Sequence, residues 1–198
     1  MVAVDLTALG SPAHWWAIPV LLVILVIASV TDLSTGKIPN WLTYSGALIG
    51  LIGHTVVGGL SGDQETMGLV DALLGLLVGF IPLFVVLQMG GIGGGDAKLM
   101  GVIGALAGWK FALVALFYGL GVAAIIGIAM MIRRRILIRT FVRIWRFLMM
   151  AVSPKHTVDP ASKDSPKVAI GFAFAVGSLI ALLGKFWFHS FAGDLFRM

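Results

Sequence analysis

The chain has 198 residues, of which 59% are hydrophobic and 12% charged, and its mean hydropathy is +1.03. A soluble domain of this length could not hide so much apolar surface, so the composition excludes one and points to an integral membrane protein. The absence of cysteine excludes a disulfide framework, thiolate chemistry and a cysteine zinc site, and the 26 glycines follow no collagen period. The net charge of +5 comes from Lys and Arg clustered beside apolar segments, which favours anionic lipid over nucleic acid as the partner.

Residues 1–14 carry Asp5 and His14 but neither Lys nor Arg, so they lack the basic region of a signal peptide, and the first apolar helix is expected to be retained. That span is expected over about 15–30, with Trp15 and Trp16 at one interface, Pro19 in the tolerated first turn and Asp32 emerging at the other interface. Pro39 and Asn40 then break the chain before a second span over about 41–60, which holds His54. A polar turn from Ser61 to Thr66 reverses direction. The third span, about 67–89, has Asp71 near its start and Pro82 as an expected kink, and leads into a glycine-rich turn, Gly91-Ile92-Gly93-Gly94-Gly95-Asp96-Ala97-Lys98.

A fourth apolar stretch, 97–109, is short for a bilayer, yet Gly101 with Ala105 and Gly104 with Gly108 are spaced for backbone-to-backbone packing inside a bundle. Lys110 marks a tight turn before a fifth span over 111–132. From 133 to 150 the arginines Arg135, Arg139, Arg143 and Arg146 recur at near-helical spacing among Ile, Leu, Phe, Val and Trp, which reads as an interfacial amphipathic helix on anionic lipid. Residues 153–166 read as an exposed loop, and 168–188 as the last span. The fold class expected is thus an all-α integral membrane protein: one domain over residues 1–198, about six transmembrane helices and a cytoplasmic interfacial helix.

The basic residues set an orientation. If the loop holding Asp32 is cytoplasmic, then Lys37, Lys98, Arg133, Arg134, Arg135, Arg139, Arg143, Arg146, Lys155, Lys163 and Lys167 are inside, leaving only Lys110, Lys185 and Arg197 of the 14 outside. Both termini are then outside. Asp32 follows one crossing and Asp96 three, so both acids emerge at the cytoplasmic face.

A carboxylate at a membrane edge is costly, which makes Asp32 and Asp96 candidates for function. Brought within a few ångströms, two such groups cannot both ionise; sharing one proton, they can activate water and protonate a scissile amide. Gly93, Gly94 and Gly95 leave room for an extended peptide to approach, and Asp96 can also cap the helix it opens. Each acid alone reads first as a solvated loop residue or a plain helix cap; their joint occurrence carries the functional reading. A phosphate-binding loop is not expected, because Asp-Ala-Lys, not Lys-Ser/Thr, follows the glycines.

Asp32, followed after six residues by Pro39-Asn40, together with Gly93-Gly94-Gly95-Asp96-Ala97-Lys98 in a helical bundle, resembles the type IV prepilin peptidases, aspartic proteases of the G-x-G-D class. The resemblance covers most of the chain. It implies cleavage of the short basic leader of prepilins at the cytoplasmic face of the bacterial inner membrane, with Asp32 and Asp96 as the catalytic pair and Gly93, Gly94, Gly95, Lys98, Pro39 and Asn40 as motif positions. No cofactor or metal is implied. Larger members add a cysteine-bearing N-methyltransferase region before the first acid. With 31 residues ahead of Asp32 and no Cys, methylation is not expected, and the chain is more similar to the compact peptidases of tight-adherence (Flp) pilus systems.

Other polar residues are expected to be peripheral: Lys98 to meet an acidic substrate residue or a lipid phosphate, and Asp71 and His54 to hydrogen-bond within the bundle. Two other classes compete with the protease. A small transporter would want its ionisable groups nearer the midplane than these acids lie, and a non-catalytic assembly subunit would use them in packing.

Overall fold

The structure, a computed structural model, describes residues 15–62, 66–88, 92–133 and 170–195, with side chains up to residue 184. Among the described residues there are five helices and no strand: α1 (Ala17–Thr35), α2 (Asn40–Gly58), α3 (Leu69–Gln88), α4 (Gly94–Arg133) and α5 (Ile170–Leu195). The expected amphipathic helix beyond Arg133 and the loop over 153–166 lie outside the described residues.

The bundle has an apolar core, and its outer surface is apolar as well. Val23, Val26 and Val30 of α1, Ile52 and Val56 of α2 and Val85 of α3 are exposed, whereas Asp32, Thr43, His54, Asp96 and Ser178 are buried. Such an outer surface suits hydrocarbon, where every backbone group must be satisfied within its own helix. By length and composition α1, α3 and α4 can each cross a membrane, and Ile170–Gly184 is a shorter apolar helix.

Helix α1 runs past the expected end of the first span. Its polar end stays helical, and Ser29, Thr31 and Thr35 satisfy their hydroxyls on the carbonyls of Leu25 (2.7 Å), Ile27 (2.9 Å) and Thr31 (2.7 Å). Gly36, in the left-handed conformation at φ 65°, ends α1 by donating its N–H to the Asp32 carbonyl at 2.9 Å. Extended Pro39 (ψ 136°) then starts α2.

The first arm of α4, residues 94–107, is the centre of the molecule; from Asp96 to Gly108 every residue except Lys98 is buried. It runs alongside α2, with Gly46 against Val102, Gly50 against Ala105 and His54 against Leu106. It runs antiparallel to α3, where Gly79 meets Met100 and Gly75 meets Gly104 through backbone. The small residues at 101, 104 and 105 thus do what their spacing suggests, letting a short helix pack at close range. At Gly108 the backbone leaves helical geometry at φ 83°, ψ 166°, a region that only glycine occupies without strain. The second arm, 109–133, folds back, so that Gly119 packs on Phe174 and Gly177 of α5. The expected fourth and fifth spans are therefore the two arms of one element, parted at Gly108 and not at Lys110, because the turn needs a positive φ more than it needs a polar residue.

Candidate functional site

Five helix ends meet at one end of this bundle: the C-termini of α1 and α3 and the N-termini of α2, α4 and α5. Asp32 lies in the last turn of α1 and Asp96 in the first turn of α4. Their exposures are 7% and 8%, so both acidic residues are largely withdrawn from the surface. Groups so placed need partners.

Asp96 finds one locally. Its Oδ2 accepts the N–H of Gly93 at 3.2 Å, just ahead of the helix. This is the reach-back half of a capping box, so Asp96 caps α4 from inside the first turn and not from the residue before it. Asp32 finds its partner far away: Oδ2 accepts the N–H of Phe172, in the first turn of α5, at 2.9 Å. The neighbouring Gly171 lies on both acids. A Cβ built on it would stand 3.0 Å from Asp32 Oδ2, 3.0 Å from Asp96 Oδ1 and 2.6 Å from Ile38 Cδ1. The two carboxylate oxygens are therefore no farther apart than twice 3.0 Å, and Asp32 acts electrostatically on Asp96. The Gly171 amide also faces Asp96.

The motif residues sort into two groups around this pair. Ile38, which precedes Pro39, packs over Gly95, where a Cβ would lie 3.1 Å from the Ile38 Cβ; the connection between α1 and α2 thus closes on the glycine turn. Gly93 and Gly94 are more open, the nearest atoms to an added Cβ being Asp96 Oδ2 at 3.0 Å and Leu87 Cδ2 at 3.7 Å respectively. Lys98 points away from the acids. Its Nζ donates to Asn40 Oδ1 at 2.9 Å and to the Tyr44 hydroxyl at 3.2 Å, and lies 4.9 Å from the centre of the Tyr44 ring. It thereby ties the first turn of α4 to the first turn of α2, and its other role, toward a lipid phosphate or an acidic substrate residue, is a proposal.

Asp71 and His54 belong to the opposite end. Asp71 accepts the Gly68 N–H at 3.4 Å ahead of α3, and His54 Nε2 lies 3.0 Å from the Leu106 carbonyl with the Trp16 ring at 4.9 Å. Among the described residues no group of His, Cys, Asp and Glu could hold a metal ion.

Sequence reasoning did not single out Gly171, Phe172, Ile38 or Tyr44. Phe172 contributes only a backbone amide, which no side chain advertises, and Gly171 is one glycine among many in an apolar span. Tyr44 carried the nearest thing to a signal, one helical turn after Asn40.

Fold and site together define a helical membrane protein that buries two acidic side chains side by side at one end of its bundle. The chain belongs to the type IV leader peptidase family, which residues 19–128, more than half of its length, match. Membership makes it a membrane protease. The matched region holds both acids and leaves α5 outside. No curated protein and no solved structure matches the chain.

Proposed function

We propose that this protein is a membrane-embedded aspartic endopeptidase that removes the short basic leader from type IV, Flp-like prepilins. The observation that carries the proposal is the burial of Asp32 and Asp96 close to one another, held by one amide just ahead of α4 and one in the first turn of α5. A protein that used these acids only for packing would not need to bring two of them together in a low-dielectric place, where the repulsion of like charges is greatest.

In the proposed reaction the pair shares one proton. The ionised carboxylate takes a proton from water as the water oxygen bonds to the scissile carbonyl carbon, and the protonated partner gives its proton to the carbonyl oxygen. Collapse of the tetrahedral intermediate breaks the C–N bond, with a proton passing to the departing nitrogen. The site opens to the cytoplasmic face of a bacterial inner membrane, with both termini on the outer side, and the arginine-rich segment beyond Arg133 rests on anionic lipid. The substrate supplies a basic leader and an apolar helix.

The test is cleavage of a basic-leader prepilin by the purified protein in liposomes, read as a new N-terminus. Wild type should cleave, and Asp32→Asn and Asp96→Asn should each lower the rate by at least about a hundredfold while the protein stays folded, since an amide can neither accept the proton nor activate water. Near-normal cleavage by either variant would reject the pair. No cleavage by wild type would favour a transporter or an assembly subunit. Reporter fusions placing residues 133–167 outside would reject the orientation and with it the cytoplasmic site.

A further inference from the structure

Beyond the matched region, α5 meets the acids with bare backbone. Its first turn brings the Phe172 N–H to Asp32 Oδ2 at 2.9 Å and sets Gly171 where any Cβ would lie 3.0 Å from an oxygen of each acid. A carbon that close to two carboxylate oxygens is inside ordinary van der Waals contact, so a side chain at 171 would push the acids or α5 aside. With no side chain there, the start of α5 lies close on both carboxylates and donates the Phe172 amide to Asp32, at the end of the helix whose dipole favours negative charge.

We propose that Gly171 is a positioning residue for the catalytic pair: its missing side chain lets the first turn of α5 lie on Asp32 and Asp96 together and sets the separation at which they work. The inference rests on the peptidase reading given above and adds to it a third wall of the site. Nothing in it requires Gly171 to touch the substrate.

The same position also packs on Ile38, and a double-mutant cycle separates the two contacts. An added methyl would lie 2.6 Å from Ile38 Cδ1, the one carbon that Ile38→Val removes. Relief of that overlap leaves the approach to the acids unchanged. Gly184 of the same helix has nothing within 4 Å of an added Cβ, so Gly184→Ala serves as the control.

The experiment measures kcat and KM for prepilin cleavage in liposomes, alongside melting temperature and elution profile, for wild type, Asp96→Asn, Gly184→Ala, Gly171→Ala, Ile38→Val and the Ile38→Val/Gly171→Ala double variant. Gly171→Ala is expected to lower kcat by about tenfold or more with KM within about twofold, because small misplacement of reacting groups is costly while substrate docks elsewhere. The same fall is expected when the change is made in the Ile38→Val background. If Gly171→Ala alone does not fold, the double variant decides: folded and slow upholds the role, folded and fast overturns it. A normal kcat for Gly171→Ala, or recovery of its loss by Ile38→Val, overturns the inference and assigns Gly171 to packing. The peptidase reading survives that result so long as wild type cleaves and Asp96→Asn does not; a wild type that does not cleave overturns both.

Discussion

His54 offers a test of how the centre of the bundle is held. The helical run of α4 is interrupted at Gly108, and the last carbonyls of a helix have no partner further along it. The Leu106 carbonyl is one of these, buried, and His54 Nε2 lies 3.0 Å from it. A carbonyl only accepts, so Nε2 carries the hydrogen, and a side chain of α2 closes the open end of the first arm of α4. Replacing His54 by Leu removes a net contribution of about 0.5–1.5 kcal/mol and leaves a buried acceptor that costs about 1–3 kcal/mol. In a bilayer the figure is smaller, since interhelical hydrogen bonds there average about 0.6 kcal/mol and reach about 1.7, the unfolded chain finding partners of its own. A loss of about 0.6–1.7 kcal/mol is therefore expected for His54→Leu. His54→Gln, whose amide can reach the Nε2 position, should recover most of it. Both are read from unfolding in mixed micelles, with cleavage measured at low temperature, where His54→Leu should stay active because the acids are at the other end of the bundle. Equal stability of wild type and His54→Leu would refute the reasoning, as would a Gln variant no better than the Leu one.

Gly108→Ala forces a β-carbon into a φ of 83° and against Met67 Cε at 2.8 Å, and should cost about 1–3 kcal/mol in the same unfolding assay. Lys98→Met cuts the tether to Asn40 and Tyr44; because that contact is exposed, the loss of stability should be below about 1 kcal/mol, with a cleavage rate lowered only a few-fold, and a rate as low as that of Asp96→Asn would instead place Lys98 in the chemistry. Chelation with EDTA should leave cleavage unchanged, since the proposed pair needs no metal; loss restored by a divalent ion would replace the mechanism.

Much of the site was legible because charge in an apolar sequence is conspicuous. Asp32 and Asp96 stand out where nearly every neighbour is hydrocarbon, and crossing parity alone puts them at one end of the molecule. The short buried helix was legible too, from Gly101, Gly104 and Ala105. What could not be read were contributions made by backbone. The Phe172 amide and the bare Cα of Gly171 have no residue-type signature, and their importance appears only when α5 is laid against α1 and α4. The ends of elements were misjudged for a related reason. Ser29, Thr31 and Thr35 look like the end of a span, yet their hydroxyls are satisfied on carbonyls of the helix itself, which runs on to Thr35. Lys110 looked like the turn, whereas the demand for a positive φ chose Gly108.

The hydrogen bond between Phe172 and Asp32 joins residues 140 positions apart. A growing chain inserts α1, with its acid, long before the amide that completes that acid has been made. Asp96 carries its own Gly93 partner from the moment α4 forms, but Asp32 does not. Until α5 is made, the Asp32 carboxylate lacks the Phe172 amide and has to find its hydrogen bonds elsewhere. Maturation of the pair is thus tied to the completion of the bundle, and a chain cut short before α5 would hold both acids yet lack the wall that seats them.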